Sequence, residues 1–242
     1  MSLEGKNILI TGGAVRLGKH LSLELAKAGA NIFLHYGNST DKAVETVAMI
    51  NDLGKKAWLL QADLSNPNQA DTLIEKAYSF APVDMLILNA SIFEPVNIKN
   101  TDRETWQRHM EINLNAPFFI SQAFASKLAS DDKGRIITML DWRALRPGIE
   151  HFPYSISKAG LAALTQSMAR ALAPRITVNG IALGAILPPV DGGNSTDRII
   201  QPVPMKRWAN LDELTQTAMF LLDGPEYITG EIIHLDGGRH LV

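Results

Sequence analysis

The chain has 242 residues, 46% of them hydrophobic and 20% charged, which is ample apolar material for one large α/β domain. A net charge of −2 offers no overall attraction for nucleic acid or an anionic membrane, and the absence of cysteine excludes disulfides and thiolate chemistry. No apolar run approaches the roughly 20 residues of a bilayer-crossing helix, and the N-terminus lacks the apolar core of a secretion signal, so the cytoplasm is the expected location.

Asn7 to Thr11 (NILIT) is almost wholly apolar, as expected of a parallel strand buried on both faces. It runs into G-G-A-V-R-L-G (Gly12 to Gly18) and a helix through Ala28, with Leu17, Leu21 and Leu25 at four-residue spacing and Gly29 at its end. Three glycines can simply make a tight turn. Placed between a first strand and a first helix, they bring backbone N–H groups and a helix N-terminus against a pyrophosphate. The second strand, Asn31 to Tyr36, ends His35-Tyr36-Gly37-Asn38-Ser39-Thr40, with no carboxylate before Asp41. A carboxylate there would bind a ribose 2′-hydroxyl and repel a 2′-phosphate. Its absence, with Arg16 nearby in the loop, predicts NADP(H) rather than NAD(H); the simpler role for Ser39 or Thr40 is to cap the next helix.

That helix spans about Asp41 to Leu53, and the third strand, Ala57 to Gln61, delivers Ala62-Asp63-Leu64. Asp63 sits where doubly wound sheets collect ligands, but it is equally suited to capping a turn. A third helix covers about Asn68 to Phe80. The fourth strand, Met85 to Leu88, leads into Asn89-Ala90-Ser91-Ile92-Phe93. A long fourth helix, about Asp102 to Ala129, is expected to bend near Pro117 and carries Asn113 between Ile112 and Leu114, where a buried amide needs a partner. The fifth strand, Gly134 to Leu140, ends at Asp141. A helix from Tyr154 to Ala173 and a sixth strand, Ile176 to Leu183, follow. Gly184 to Arg207 contains Pro188, Pro189, Gly192, Gly193, Pro202 and Pro204 without periodicity; residues 185–205 are expected to form a substrate loop that closes on the ligand. A last helix, about Asp212 to Asp223, precedes the seventh strand, Glu231 to Leu235, and the tail D-G-G-R-H-L-V. Seven strands alternating with six helices predict a single Rossmann-type, doubly wound parallel sheet with helices on both faces, one domain over residues 1–242.

Tyr154 and Lys158, four apart at the head of a helix, share one face. An ammonium beside a phenol favours the phenolate, so the expectation is a Tyr154 pKa drawn downward and a side chain able to give and take a proton. Asp141, at a strand end, can converge on the same cleft.

With these pieces placed, the chain resembles the short-chain dehydrogenase/reductase family from end to end. The resemblance rests on T-G-x-x-x-x-x-G at Thr11 to Gly18, Asn89-Ala90, Asn113 in the fourth helix, and Tyr154/Lys158. It implies that Tyr154 is the acid/base, that Lys158 binds the nicotinamide ribose and tunes Tyr154, and that Asn113 supports a relay behind Lys158. Two departures narrow it: Arg16 replaces the middle glycine of the loop, and Asp141 stands where the family usually has a serine. Both look like pteridine reductases, as do L-H-Y-x-x-S (Leu34 to Ser39), A-D-L-S (Ala62 to Ser65) and N-A-S-x-F (Asn89 to Phe93), while the tail is similar to dihydromonapterin reductases.

By that likeness the cofactor contacts are Gly12, Arg16, Leu17 and Gly18 from the first loop, His35, Tyr36, Asn38 and Ser39 after the second strand, and Asp63 and Leu64 after the third. Asn89, Ala90, Ser91, Lys158 and Gly184 complete the set. Arg16, Ser91, Phe93, Asp141 and Tyr154 would hold a pterin-like substrate, Phe93 by stacking, with no metal. The family is often tetrameric, so a homotetramer is expected, with no nucleic-acid or membrane partner. Two enzyme readings follow: NADPH-dependent reduction of a dihydropterin or dihydrofolate, or a general carbonyl reductase such as one acting on a 3-oxoacyl thioester. In the second, Asp141 only pairs with Arg143 or Arg146. A non-catalytic NADP(H) sensor on the same fold would have no need of Tyr154.

Overall fold

Short apolar strands, each followed by a helical stretch, can satisfy their backbones side by side only if helices cover both faces of the resulting sheet. The computed structural model, which describes residues 2–187 and 196–242, has this arrangement. The strands are β1 (Asn7–Ile10), β2 (Asn31–Tyr36), β3 (Ala57–Gln61), β4 (Met85–Leu88), β5 (Gly134–Asp141), β6 (Ile176–Leu183) and β7 (Ile232–Leu235). All pairings are parallel, in the order β3-β2-β1-β4-β5-β6-β7. The order reverses between β1 and β4, and that switch point opens the crevice in which such sheets bind ligands.

Alternation along each strand divides the core. Ile8, Ile10, Ile32, Leu34 and Ile87 pack with α1 (Arg16–Lys27), α2 (Thr40–Asp52) and a later helix, Leu211–Asp223. Leu9, Phe33, Leu86, Leu88 and Val178 face the other way. Their cover is α3 (Pro67–Asp71), α4 (Leu73–Tyr78), α6 (Ala116–Lys127) and α7 (Phe152–Leu172), with α5 (Arg103–Met110) against α7. The remaining helices are α8 (Thr196–Ile200) and α9, the Leu211–Asp223 segment already placed.

Several expected boundaries change. The third helix divides at Thr72, whose hydroxyl bonds back to the carbonyls of Asn68 and Gln69. The fourth is interrupted before Pro117, by a π-helical turn over Glu111–Asn115. Pro117 has no N–H for the carbonyl of Asn113 one turn earlier, and its ring crowds that carbonyl. The irregularity therefore falls on Asn113. α7 begins at Phe152, two residues early, because Pro153 is accepted in a first turn. The stretch read as wholly irregular after β6 contains α8, while the part of the expected substrate loop at 188–195 lies outside the described residues. No described helix is long and apolar enough to cross a membrane.

Candidate active site

The crevice has two halves. The first is the glycine loop. Gly12 adopts φ 64, a conformation that favours glycine. A Cβ on Gly18 would meet the Gly12 carbonyl oxygen at 1.9 Å, so only glycine lets α1 close onto the loop. His35 is buried, with one ring nitrogen accepting from the Gly12 N–H (3.0 Å) and the other donating to the Ala62 carbonyl (3.0 Å). Burial lowers its pKa to about 4, so the ring is neutral and acts as a brace. The His35 ring is thus turned inward, bonded within the protein rather than facing the crevice.

Asn89 is similarly engaged. Its amide donates to the Thr11 carbonyl (2.9 Å), and the Thr11 hydroxyl accepts from the N–H groups of Asn89 and Ala90. Leu64 is buried in the core, which removes its side chain from any ligand, and Leu17 packs on the other core. Asp63 follows the turn-capping alternative, accepting from the Ser65 N–H (2.9 Å) and hydroxyl (2.7 Å). The backbone of Gly184 donates to Leu235, and a Cβ there would strike Asp236 at 2.6 Å.

The residues that remain outward suit a phosphorylated dinucleotide. The N-cap of α1, Val15, offers no side-chain acceptor, and the first turn holds Arg16 and no acid. Those N–H groups and the positive end of the helix dipole match a pyrophosphate. Ser39 is the N-cap of α2 yet makes no capping bond, so its hydroxyl is not engaged as the simpler reading required. Asn38 beside it is exposed, Tyr36 is half-buried, and β2 ends without a carboxylate. The set fits a 2′-phosphate.

The second half joins the ends of β4 and β5 to the start of α7. Tyr154 is buried and donates to Asp141 Oδ2 at 3.1 Å. Lys158, also buried, donates to the Met139 carbonyl at 2.7 Å, its ammonium 5.8 Å from the Tyr154 ring. Burial lowers Lys158 to about 8, and burial followed by the Asp141 charge raises Tyr154 well above its ordinary value. The expected depression of Tyr154 is thus overturned. Desolvation and an adjacent carboxylate both disfavour the phenolate, and they outweigh an ammonium committed to a backbone carbonyl.

Asn113 holds the two flanks together. Its oxygen accepts from the Ser91 hydroxyl (3.1 Å) and the Ile92 N–H (2.9 Å), and its amide donates to the Ile92 carbonyl and the Ser157 hydroxyl (both 3.1 Å). The β4 loop, the π turn and α7 therefore meet at one fully satisfied buried amide. Phe93, half exposed, stands edge-on to Tyr154 (4.6 Å) and stacks on His151 at 3.7 Å. Arg143 reaches Asp141 at 3.3 and 3.4 Å, and its guanidinium lies 5.8 Å from the Phe93 centroid. Asp141 thus touches Tyr154 and Arg143 together. His151 and Ser157 escaped the sequence reading; the only signal was their position around Tyr154, within one helical turn. Among the described residues no group of His, Asp and Glu could hold a metal.

Comparison with known proteins agrees with this architecture. The family model described as short chain dehydrogenase matches residues 6–198. The 3-oxoacyl-[acyl-carrier-protein] reductase of Synechocystis sp. is 30% identical over 241 residues, covering 98% of each chain. Among solved structures, FolM alternative dihydrofolate reductase 1 from Brucella canis, complexed with NADP, is 34% identical with a TM-score of 0.91, over 98% of this chain and 95% of that one. A short chain dehydrogenase from Burkholderia cenocepacia in complex with NADP is 29% identical with a TM-score of 0.92, over 99% of both.

Proposed function

This chain belongs to the short-chain dehydrogenase/reductase family, and on that premise we propose that it reduces the C=N bond of a dihydropterin, or of dihydrofolate, with NADPH. It is an oxidoreductase whose cofactor is NADP(H), as in the Brucella and Burkholderia relatives. The observation that carries the pterin reading is Asp141, a carboxylate bonded to the Tyr154 hydroxyl at 3.1 Å beside the Phe93 ring. A ketone needs a donor at that position, and an ionised carboxylate only accepts. A pterin edge supplies the ring N–H and amino donors that a carboxylate can hold, and a flat face for Phe93.

Bound NADPH supplies the hydride. The residues supply the rest. As a phenol, Tyr154 is protonated at working pH and is the proton donor for the ring nitrogen, the direction a reduction requires. Lys158 stands next to Tyr154 to hold the nicotinamide ribose, and Asn113 fixes Ser91 and Ile92 so that the Phe93 wall stays in register with α7. The 30% identity to the Synechocystis enzyme favours a second reading, reduction of a 3-oxoacyl thioester.

NADPH oxidation followed side by side with dihydrobiopterin, dihydromonapterin, dihydrofolate and acetoacetyl thioester separates the two. The expected order places a dihydropterin first. Asp141→Ser is expected to lose pterin turnover by about 10- to 100-fold, the loss of a charged hydrogen-bond partner, while NADPH binding and melting temperature hold. Unchanged pterin turnover in that variant, or a preference for the thioester, overturns the reading.

A further inference from the structure

Asp141 is already bonded to a flat, multiply donating group that lies 5.8 Å from the Phe93 ring, and it belongs to the chain itself. We propose that these two residues form a receptor for a planar guanidine- or amidine-like edge, and that Arg143 occupies it until substrate displaces it. The inference rests on the reading above that Asp141 faces the substrate. A guanidinium and the 2-amino-4-oxopyrimidine edge of a pterin present the same pattern: two neighbouring N–H donors in a plane, with a π-face above. A site that accepts one competes for the other.

The contacts divide by strength. The Arg143 backbone N–H (2.8 Å) and the Tyr154 hydroxyl (3.1 Å) are set by the turn after β5 and by α7. The guanidinium approaches through one nitrogen only, at 3.3 and 3.4 Å. Elsewhere in this chain a committed arginine looks different: Arg207 grips Glu213 with two nitrogens, each at 2.8 Å. Strong charge-assisted bonds fall near 2.7–2.9 Å, so the Arg143 pair is loose. Trp142 lies beside it as well. The Arg143 guanidinium lies 4.8 Å from that ring and Arg239 lies over it at 4.5 Å, so Arg143 has a cation–π contact that does not depend on Asp141. Both Arg143 and Asp141 are part-exposed, with side-chain exposures of 29% and 15%, and a partner of this kind leaves readily.

An internal occupant reduces the apparent affinity for an external one by the fraction of molecules in which the site is free. For a part-exposed pair that factor is about two- to fivefold. The probe is isocytosine, which carries the 2-amino-4-oxopyrimidine edge and has nothing to reduce, titrated into the NADP-loaded protein and followed by intrinsic fluorescence. Arg143→Met is expected to bind isocytosine about two- to fivefold more tightly than the parent. In an Asp141→Ser background, the same Arg143→Met change is expected to have no further effect, because the shared acceptor is gone. Weaker or unchanged isocytosine binding in Arg143→Met makes Arg143 a substrate contact or a bystander and overturns the proposal. An equal gain in the Asp141→Ser background also overturns it, since the gain would not arise at the carboxylate. NADPH binding by each variant certifies its fold. The measurement needs no turnover, so inactivity toward every dihydropterin defeats the function proposed above without deciding this competition.

Discussion

The two halves of the crevice are built on opposite plans. Around the glycine loop, the side chains bond to the protein's own backbone. His35 braces Gly12 and Ala62, Asn89 ties Thr11, and what is left for a ligand is the backbone N–H groups at the start of α1 with the outward side chains Arg16, Asn38 and Ser39. Its bracing side chains, His35, Asn89 and Thr11, are neutral and short-range, so this half is a mould whose shape does not depend on their titration near neutrality. Around Tyr154 the polar groups are ionisable and face one another: Asp141, Arg143, Tyr154 and Lys158, with contacts of 3.1–3.4 Å at the carboxylate. Backbone dominates the first half and ionisable side chains the second, where burial raises Tyr154 and lowers Lys158.

The largest expected effect separates the halves directly. Tyr154→Phe removes the proton-handling hydroxyl and is expected to lower turnover by about 10²–10⁴-fold, with NADPH affinity unchanged in a fluorescence titration. A near-normal rate would transfer the proton donation to another group and end the division of labour.

Next is a change confined to the mould. Ser39→Asp restores a carboxylate after β2, where the hydroxyl makes no cap bond, and sets it against a 2′-phosphate. The ratio of NADPH to NADH affinity is expected to fall by roughly 10- to 100-fold, while turnover at saturating cofactor is kept. If the ratio stays fixed, the 2′-phosphate is read elsewhere.

The smallest effect at neutral pH concerns His35. Its folded pKa of about 4 lies below its ordinary 6.5, so between these values the unfolded chain binds more protons than the folded one. Stability from this group is therefore full above pH 6.5 and is lost as pH falls toward 4, by roughly 3 kcal/mol at about 1.4 kcal/mol per unit. His35→Gln keeps two hydrogen-bonding groups without a titrating ring. Its melting temperature is expected to fall less steeply over pH 6.5 to 4 than that of the parent. Parallel curves would show that another group governs acid sensitivity.

Residue order alone determined the seven strands to within one residue at either end, the parallel doubly wound sheet and the glycine loop. These depend on local properties: apolar runs too short for anything but buried strands, and a turn that admits no Cβ at Gly18. The Tyr154–Lys158 spacing was also legible, because a helix alone places those two together. Their protonation was not. Spacing brings the ammonium near the phenol, but only the packed structure buries Tyr154, commits Lys158 to the Met139 carbonyl and sets Asp141 against the hydroxyl, and those three facts reverse the sign of the expected pKa shift. The same holds for His35 and Leu64, which the family resemblance placed at the cofactor and whose side chains the fold turned inward. It holds too for Arg143 and His151, which gather at Phe93 from two separate turns. Local sequence decides where the chain bends and which faces are apolar. Desolvation and charge pairing depend on what the rest of the chain brings to the same point, so only the tertiary structure decided them.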